Sequence, residues 1–217
     1  MIFAEIKWVI IVAHDGLEMK IYCATSNQGK LAEFRRAADK AAMDKLEILP
    51  LPDLSSITPC EETGKTIAEN AVLKAVYYGS RFDGLLFAED SGLEVEALNG
   101  EPGVYSARWG GEGTDDAINN QLLLRCLQDF ADRSARFVCV IALVRSGHLL
   151  ESFRGEAQGQ ILQEPRGAYG FGYDPLFYYP PLQRSFAELS SDEKLDASHR
   201  GRAIEVMFRY LKDLKNP

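Results

Sequence analysis

Two adjacent carboxylates, Glu89 and Asp90, follow a short apolar run and offer the clearest chemistry in the sequence. The run over 85–88 is typical of a buried strand, and Ser91 and Gly92 after the acids predict a sharp turn at its end. Ligands of open α/β sheets gather at the carboxyl ends of strands, where two acids suit a hard cation or an activated water. An acidic turn that only solvates the strand end explains these residues equally well.

A polar loop over 25–30 joins a predicted strand to a helix whose apolar residues recur from Leu31 to Ala42. The start of a helix presents free backbone N–H groups, so such a loop is a natural cradle for an anion. Its glycine and lysine do not have the spacing of a Walker P-loop. A helix cap with a surface lysine, Lys30, is the plainer explanation.

A third polar group surrounds a predicted helix over 66–78. A threonine and a glutamate at the start of this helix have the spacing of a capping box. Asn70 and Lys74 share one helix face, and two further acids, Glu61 and Glu62, lie just before the helix. A solvated face explains this pattern as simply as a lysine and an amide that point into a cleft.

The last third of the chain holds an aromatic segment and a cluster of hydrogen-bond donors. Glycines alternate with aromatic residues over 167–177, which makes a poor strand core but a good wall for a flat ligand. Farther on, Lys194, His199 and Arg200 gather near the start of the final helix. A surface location is the common explanation for such a cluster.

The composition limits the classes of function. The chain has 217 residues, 46% hydrophobic and 26% charged, as expected for a soluble protein of one large domain or two small ones. Its net charge of −8 argues against general nucleic-acid binding. Three histidines make a zinc site unexpected, and four cysteines without a C-x-x-C pair are typical of a reducing, cytoplasmic compartment. No apolar run reaches membrane-spanning length.

Residues 1–18 are predicted to be an N-terminal extension of a domain over 19–217. The apolar stretch over 8–13 has no basic region before it and no small-residue cleavage site after it, so it is a poor signal peptide. Within the domain, the patterns predict a helix capped by Thr114 and a hairpin that turns at 146–147. The sheet is therefore expected to be mixed.

Together, these segments resemble the Ham1-like inosine triphosphate pyrophosphatases, in the family's order and spacing, from Lys20 to Leu214. Each motif alone is weak, but seven in one order are specific. Ser26 stands where the family often has glycine, and the family's chains usually start near Met19. The matching residues are Thr25-Ser26-Asn27-x-Gly29-Lys30, Glu61-Glu62-Thr63-Gly64 with Asn70-Ala71 and Lys74, Glu89-Asp90-Ser91-Gly92-Leu93, Pro102-Gly103-x-Tyr105-Ser106-Ala107-Arg108, Phe171-Gly172-Tyr173-Asp174-Pro175-x-Phe177, Glu193-Lys194 and Ser198-His199-Arg200.

The resemblance implies a fold and a reaction. The fold would be a single elongated α/β domain, whose long mixed sheet and flanking helices form two lobes around a central cleft, in a homodimer. The reaction would be Mg²⁺-dependent hydrolysis of inosine, deoxyinosine or xanthosine triphosphate (ITP, dITP or XTP) to the monophosphate and pyrophosphate. Such a reaction removes deaminated purines from the nucleotide pool.

The resemblance also implies roles for individual residues. Mg²⁺ is expected on Asp90 and on one acid of the Glu61–Glu62 pair, with Glu89 close by. Asp90 is also expected to accept the proton of the attacking water. The loop over 25–30 and Lys74 would hold the triphosphate. The substrate-binding residues implied are Thr25, Ser26, Asn27, Gln28, Gly29, Lys30, Lys74, Ser91, Phe171, Gly172, Tyr173, Asp174, Lys194, His199 and Arg200.

Phe171 is expected to stack on the base, while the edge of the base meets Asp174, Lys194, His199 and Arg200. Two other classes of function stay open. A Maf-type pyrophosphatase would act on other modified nucleotides, and a non-enzymatic module would bind a nucleotide without turnover. A substrate panel separates the first alternative, and the acids and lysines of the motifs argue against the second.

Overall fold

A computed structural model describes residues 19–43 and 45–215 of the chain, so the predicted extension over 1–18 lies outside the described residues. Seven strands form one sheet: β1 (Met19–Cys23), β2 (Leu46–Pro50), β3 (Leu85–Val95), β4 (Ser134–Arg145), β5 (His148–Ile161), β6 (Phe177–Tyr179) and β7 (Arg184–Ser185). The α-helices are α1 (Gln28–Lys40), α2 (Ile67–Gly79), α3 (Asp116–Cys126), α4 (Ser191–Ala197) and α5 (His199–Lys215). Within these described ranges, no helix is long and apolar enough to cross a membrane.

The sheet is mixed, as the sequence pattern predicts. Its strands lie in the order β2-β1-β3-β4-β5-β6-β7. β1 runs parallel to β2 and to β3, whereas the neighbouring pairs from β3 to β7 are antiparallel. Parallel neighbours need crossover connections, and α1 and α2 supply them between the first three strands. The predicted hairpin is confirmed as β4 and β5.

β3 differs from its prediction because it does not end at the two acids. It pairs with β4 along its whole length, from Leu85 to Val95. Gly92 stays within the strand, where a Cβ would lie 2.3 Å from the carbonyl oxygen of Gly103. The predicted sharp turn is therefore wrong: glycine at this position lets a 3₁₀ helix, Gly103–Arg108, approach the strand. Both acids project from the middle of a strand.

Successive residues of β3 face opposite sides of the sheet, and each side has its own core. Phe87 packs in a cluster with residues of α1 and α5. Leu86 and Ala88 pack on the other side, with residues of α2. A third cluster, which includes Leu93 and Phe177, joins the far end of β3 to α3 and to the last third of the chain. The two acids, as successive residues of β3, therefore point to opposite sides of the sheet, one towards α2 and the other towards α1 and α5.

Helix ends follow the sequence signals with one exception. Thr66 caps α2 through the predicted capping box. The cap of α3 is Asp115 and not Thr114, because the Asp115 carboxylate accepts the backbone N–H of Ile118 at 2.9 Å. The Thr114 hydroxyl donates instead to the carbonyl oxygen of Gly111 at 2.8 Å. Adjacent threonine and aspartate are both good caps, so spacing alone could not choose between them.

Candidate active site

On the side of β3 that faces α2, two acids and two cations contact one another. Lys74 on α2 places its Nζ 2.7 Å from Asp90 Oδ1 and 2.9 Å from Glu62 Oε1. Arg108 reaches the other oxygen of Glu62 at 3.2 Å. Because Thr66 fixes the start of α2, Lys74 stands two turns into a well-anchored helix. Lys74 therefore bridges an acid of β3 and an acid of the segment before α2.

Asp90 keeps one oxygen available for a ligand. Its Oδ2 is buried and has no hydrogen-bond partner among the described residues. No three acidic, histidine or cysteine side chains converge as a metal cage within 19–43 and 45–215. Mg²⁺ does not need such a cage, since one or two carboxylates suffice when phosphates and waters complete its shell. Asp90 and Glu62 fit that pattern, and Glu61 is exposed.

Burial and neighbouring charges shift the proton affinities of this cluster. Burial raises the pKa of the Asp90 carboxyl, and the nearby acids Glu89 and Glu62 act in the same direction. Burial also disfavours a charged Lys74, but the charges of Asp90 and Glu89 outweigh it and raise the pKa of the ammonium above its usual value. Lys74 therefore stays charged and holds one carboxylate oxygen of Asp90 and one of Glu62.

Glu89 lies on the opposite side of β3 from Asp90. Its side chain is 1% exposed, and it forms an ion pair with Lys30. Arg200 Nε lies 3.7 Å from its Oε2, and the thiol of Cys139 donates to the same oxygen at 3.4 Å. Burial opposes ionisation, but Lys30 and Arg200 hold the pKa of the Glu89 carboxyl well below its usual range. Glu89 therefore anchors two cations. Its predicted place near the metal stays a prediction, since Glu89 also lines the cavity that Glu62 and Lys74 line.

The predicted anion loop over 25–30 opens onto a cavity of about 730 Å³, within the range usual for small-molecule sites. Asn27 caps α1, because its side chain accepts the backbone N–H of Lys30 at 3.1 Å. The Thr25 hydroxyl accepts the backbone N–H of Asn27 at 3.2 Å. The residues that line the cavity include Ser26, Gln28, Glu62, Lys74 and Glu89.

Phe171 marks the second end of the site. Lys194 Nζ lies 4.3 Å from the centroid of its ring, and Arg200 Cζ lies 5.7 Å away. Lys194 pairs with Asp174 at 2.5 Å, and Asp174 also accepts the backbone N–H of Phe171 at 2.9 Å. A Cβ on Gly29 would stand 3.6 Å from the Phe171 ring, so the anion loop adjoins this end directly.

His199 is buried beside these cations. Its ring stacks on Phe137, with centroids 4.7 Å apart and planes 12° from parallel. Its Nδ1 is buried without a hydrogen-bond partner among the described residues. Burial and the charges of Arg200 and Lys194 hold the pKa of His199 well below its usual value. His199 is therefore neutral at neutral pH.

A chain of alternating charges connects the two ends of the site, in the order Lys30, Glu89, Arg200, Glu33, Lys194, Asp174. Glu33 on α1 completes it, 2.6 Å from Arg200 and 3.4 Å from Lys194. Arg200 also donates to the Ser91 hydroxyl at 3.0 Å. Sequence reasoning missed Glu33 because its partner Arg200 is 167 positions away and no local pattern marks it.

Helix α3 supports the turn that carries Phe171. The backbone N–H of Gly172 donates to Asp116 Oδ2 at 2.6 Å, and its carbonyl oxygen accepts from Asn120 Nδ2 at 2.9 Å. The Tyr173 hydroxyl donates to the carbonyl oxygen of Ser106 at 2.9 Å. Two residues predicted to bind substrate, Gly172 and Tyr173, thus shape the turn itself. Asp116 and Asn120 carry no sequence signal beyond an ordinary polar helix face.

The chain is similar to known proteins over most of its length. The profile of the Ham1 family matches residues 21–210. A dITP/XTP pyrophosphatase of Acidobacterium capsulatum is 47% identical over 204 residues, which are 90% of this chain and 99% of that protein. A dITP/XTP pyrophosphatase of Staphylococcus epidermidis is 44% identical over 192 residues, 88% of this chain and 96% of that one. A HAM1 protein structure from Coxiella burnetii covers 90% of this chain and 99% of its own at 40% identity, with a TM-score of 0.81.

Proposed function

The chain belongs to the Ham1 family, and we propose that it hydrolyses ITP, dITP and XTP to the monophosphate and pyrophosphate. It is a pyrophosphatase that removes deaminated purines from the nucleotide pool. The observation that carries this proposal is that two chemically different groups of residues adjoin the loop over 25–30. One group has Asp90 with a free buried oxygen beside Lys74 and Glu62, and the other has Phe171 beside Lys194.

We propose that Asp90 and Glu62 hold Mg²⁺. When bound, Mg²⁺ would neutralise phosphate charge and raise the acidity of a water molecule. Asp90 supplies a carboxylate that accepts the proton of the attacking water, while Lys74 fixes its other oxygen at 2.7 Å. Because the backbone of Asp90 is part of a fully paired strand, this carboxylate is held in one place. Positioned proton acceptors of this kind contribute about 10²–10⁴-fold to rate.

The loop over 25–30 receives the phosphates at the start of α1. Its backbone N–H groups and the positive end of the helix favour negative charge. Lys30 and Lys74 add two ammonium groups. Lys30 pairs with Glu89, and Lys74 pairs with Asp90 and Glu62, so each ammonium keeps at least one of its three donors for a phosphate. These cations offset the charge that develops on the leaving pyrophosphate.

The second end selects the base. In this proposal the Phe171 ring stacks on a purine, and Lys194, whose Nζ lies 4.3 Å from the ring centroid, donates to the edge of the base. Arg200, with Cζ 5.7 Å from the same centroid, lies beside it. A 6-keto oxygen accepts such donors, whereas the amino group of adenine is itself a donor and leaves them unpaired. A mismatch of this kind can cost several powers of ten in rate. His199 remains neutral beside them, which keeps further positive charge out of the pocket.

We also propose that the protein works as a cytoplasmic homodimer, as the family resemblance implies. The outer side of α2 exposes Leu73 and Val76, and the nearby 3₁₀ helix exposes Tyr105. The cysteines of the described residues are free, which suits a reducing compartment. Light scattering at micromolar concentration tests the dimer, and a mass of one chain would contradict it.

A pyrophosphate-release assay over the common and the deaminated nucleoside triphosphates, with and without Mg²⁺, tests the proposed function. We expect pyrophosphate from ITP, dITP and XTP, slow turnover of ATP, and no turnover without a divalent cation. Preference for other modified nucleotides would indicate a Maf-type enzyme. Binding without turnover on every substrate would indicate a nucleotide-binding module.

A further inference from the structure

Three side chains on one face of α2 each contact the segment just before that helix. Asn70 Oδ1 accepts the backbone N–H of Gly64 at 2.8 Å. Lys74 Nζ meets the carboxylate of Glu62 at 2.9 Å. The Tyr78 hydroxyl accepts the backbone N–H of Cys60 at 3.2 Å. The contacts at both ends use backbone groups, and the contact in the middle uses the side chain of the acid assigned to the metal.

The spacing of these contacts has a simple geometric basis. Along α2, the contacting residues are four apart, at 70, 74 and 78. The residues that they contact in the preceding segment are two apart and run in the opposite direction, at 64, 62 and 60. Four residues of α-helix rise about 6.0 Å, and two residues of extended chain span about 6.6 Å. An extended segment that runs antiparallel to α2 therefore stays in step with one helix face over three contacts.

Close packing at Gly64 fixes this register. A Cβ there would lie 2.6 Å from Asn70 Oδ1 and 2.7 Å from Glu69 Cβ, so only glycine allows the approach. Asn70 is completely buried, and Tyr78 is 9% exposed. The segment from 60 to 64 belongs to no helix or strand, so side-chain contacts must hold it in place.

We propose that Asn70 and Tyr78 are positioning residues, which set the 60–64 segment in register so that Glu62 meets Lys74 and Asp90. This inference rests on the proposed function in one respect, the assignment of Glu62 to Mg²⁺. Asn70 holds Gly64 and Tyr78 holds Cys60, so their hydrogen bonds go to the backbone of the segment and not to Glu62, Lys74 or Asp90, although Tyr78 also lines the cavity beside the loop over 25–30. Their loss would let the segment slide or detach, and it would remove Glu62 from Asp90 while Asp90 stays fixed in β3.

Hydrogen exchange of individual backbone amides, measured by NMR on the full chain without nucleotide or Mg²⁺, tests the register directly. In Asn70→Ala we expect the Gly64 amide to exchange about tenfold faster or more, because its acceptor is gone. Tyr78→Phe removes only the hydroxyl that accepts the Cys60 amide, so we expect that amide to exchange faster in this variant. Tyr210→Phe is the matched control. Tyr210 lies on α5 and packs on Phe153 of β5, so neither amide should respond.

The Mg²⁺ dependence of ITP turnover supplies the second readout. Both variants should raise the half-saturating Mg²⁺ concentration, by about tenfold for Asn70→Ala and less for Tyr78→Phe, with an unchanged preference for ITP over ATP. Should Asn70→Ala fail to fold, Tyr78→Phe decides. Unchanged exchange at Cys60, or faster exchange with an unchanged Mg²⁺ requirement, would overturn the positioning role.

Glu62→Gln separates this inference from the proposed function. If Glu62→Gln itself leaves the Mg²⁺ requirement unchanged, the metal assignment fails. The register is then decided by the exchange rates alone. If Glu62→Gln raises the requirement and Tyr78→Phe does not, the metal assignment stands and the positioning role falls.

Discussion

Glu89 and Asp90 are carboxylates one residue apart on the same strand, yet the two faces of β3 give them opposite surroundings. Asp90 faces α2, where Lys74 holds one oxygen and the other has no partner among the described residues. Glu89 faces α1 and α5, where Lys30 and Arg200 compensate it. Burial keeps the pKa of Asp90 raised, whereas two cations keep the pKa of Glu89 low.

This difference shows that a pair of adjacent acids need not act as a pair. The two-residue period of a strand assigns one acid to each layer of the fold. An acid with an unused oxygen can take a metal or a proton, and an acid saturated by cations can only position them. Under the proposed function, the face towards α2 would carry out the chemistry, and the face towards α1 and α5 would connect the phosphate end to the base end.

The largest effect is expected for Asp90→Asn. The change keeps the shape of the side chain but removes an anionic metal ligand and the proton acceptor together. Turnover of ITP should fall by at least 10²–10⁴-fold, on the order of general-base catalysis alone. The melting temperature should stay the same or rise slightly, because Lys74 keeps Glu62 and the repulsion from Glu89 is lost. Activity within a factor of ten of the wild type at saturating Mg²⁺ would remove Asp90 from the mechanism and make Glu89 the next candidate.

Glu89→Gln should act on stability first. It leaves Lys30 without its anion and Arg200 with Glu33 alone. Breaking a buried ion pair on one side costs about 3–5 kcal/mol, and the loss here should lie towards the lower value because Arg200 keeps Glu33. Urea denaturation should show this loss in the free energy of unfolding. Glu94→Gln is the matched control on the same strand, since its partner Arg136 is 44% exposed and such pairs contribute about 0–1 kcal/mol. Equal losses in both variants would mean that Glu89 is not an anchor.

Selectivity should change with Lys194→Ala. The activity ratio of ITP to ATP should fall about tenfold or more if the ammonium beside Phe171 recognises the base, as proposed, and not the phosphates. Lys40→Ala is a suitable control. Lys40, on α1, pairs at the surface with Asp196, which lies on α4 as Lys194 does. A proportional loss on both substrates would place Lys194 at the phosphates.

The smallest effect is expected from deletion of residues 1–18. Every matched motif lies after Met19, and β1 pairs with β2 and β3 within the described residues. A chain that starts at Met19 should keep its ITP turnover within experimental error. Insolubility or loss of activity would show that the apolar stretch over 8–13 packs against the domain.

Much of this arrangement is predictable from local sequence signals. The strand before the anion loop, the capped helix with Lys74 and the β4–β5 hairpin each follow from periodicity and cap residues. The side chains that meet across the fold are not predictable in this way. Glu33 joins two cations far along the chain, and Gly92 serves close packing where its type suggested a turn. The turn prediction also missed that Glu89 and Asp90 point to opposite faces of β3.

The division between the two faces of β3 is tested most directly by the Mg²⁺ dependence of ITP turnover in Glu62→Gln and Glu89→Gln, measured side by side with the wild type at a temperature where all three are folded. We predict that Glu62→Gln raises the half-saturating Mg²⁺ concentration about tenfold or more, since it removes a ligand beside Asp90. Glu89→Gln should leave that concentration unchanged and raise the KM for nucleotide instead. An equal rise in the Mg²⁺ requirement of both variants would contradict the division, because both acids would then belong to one metal site.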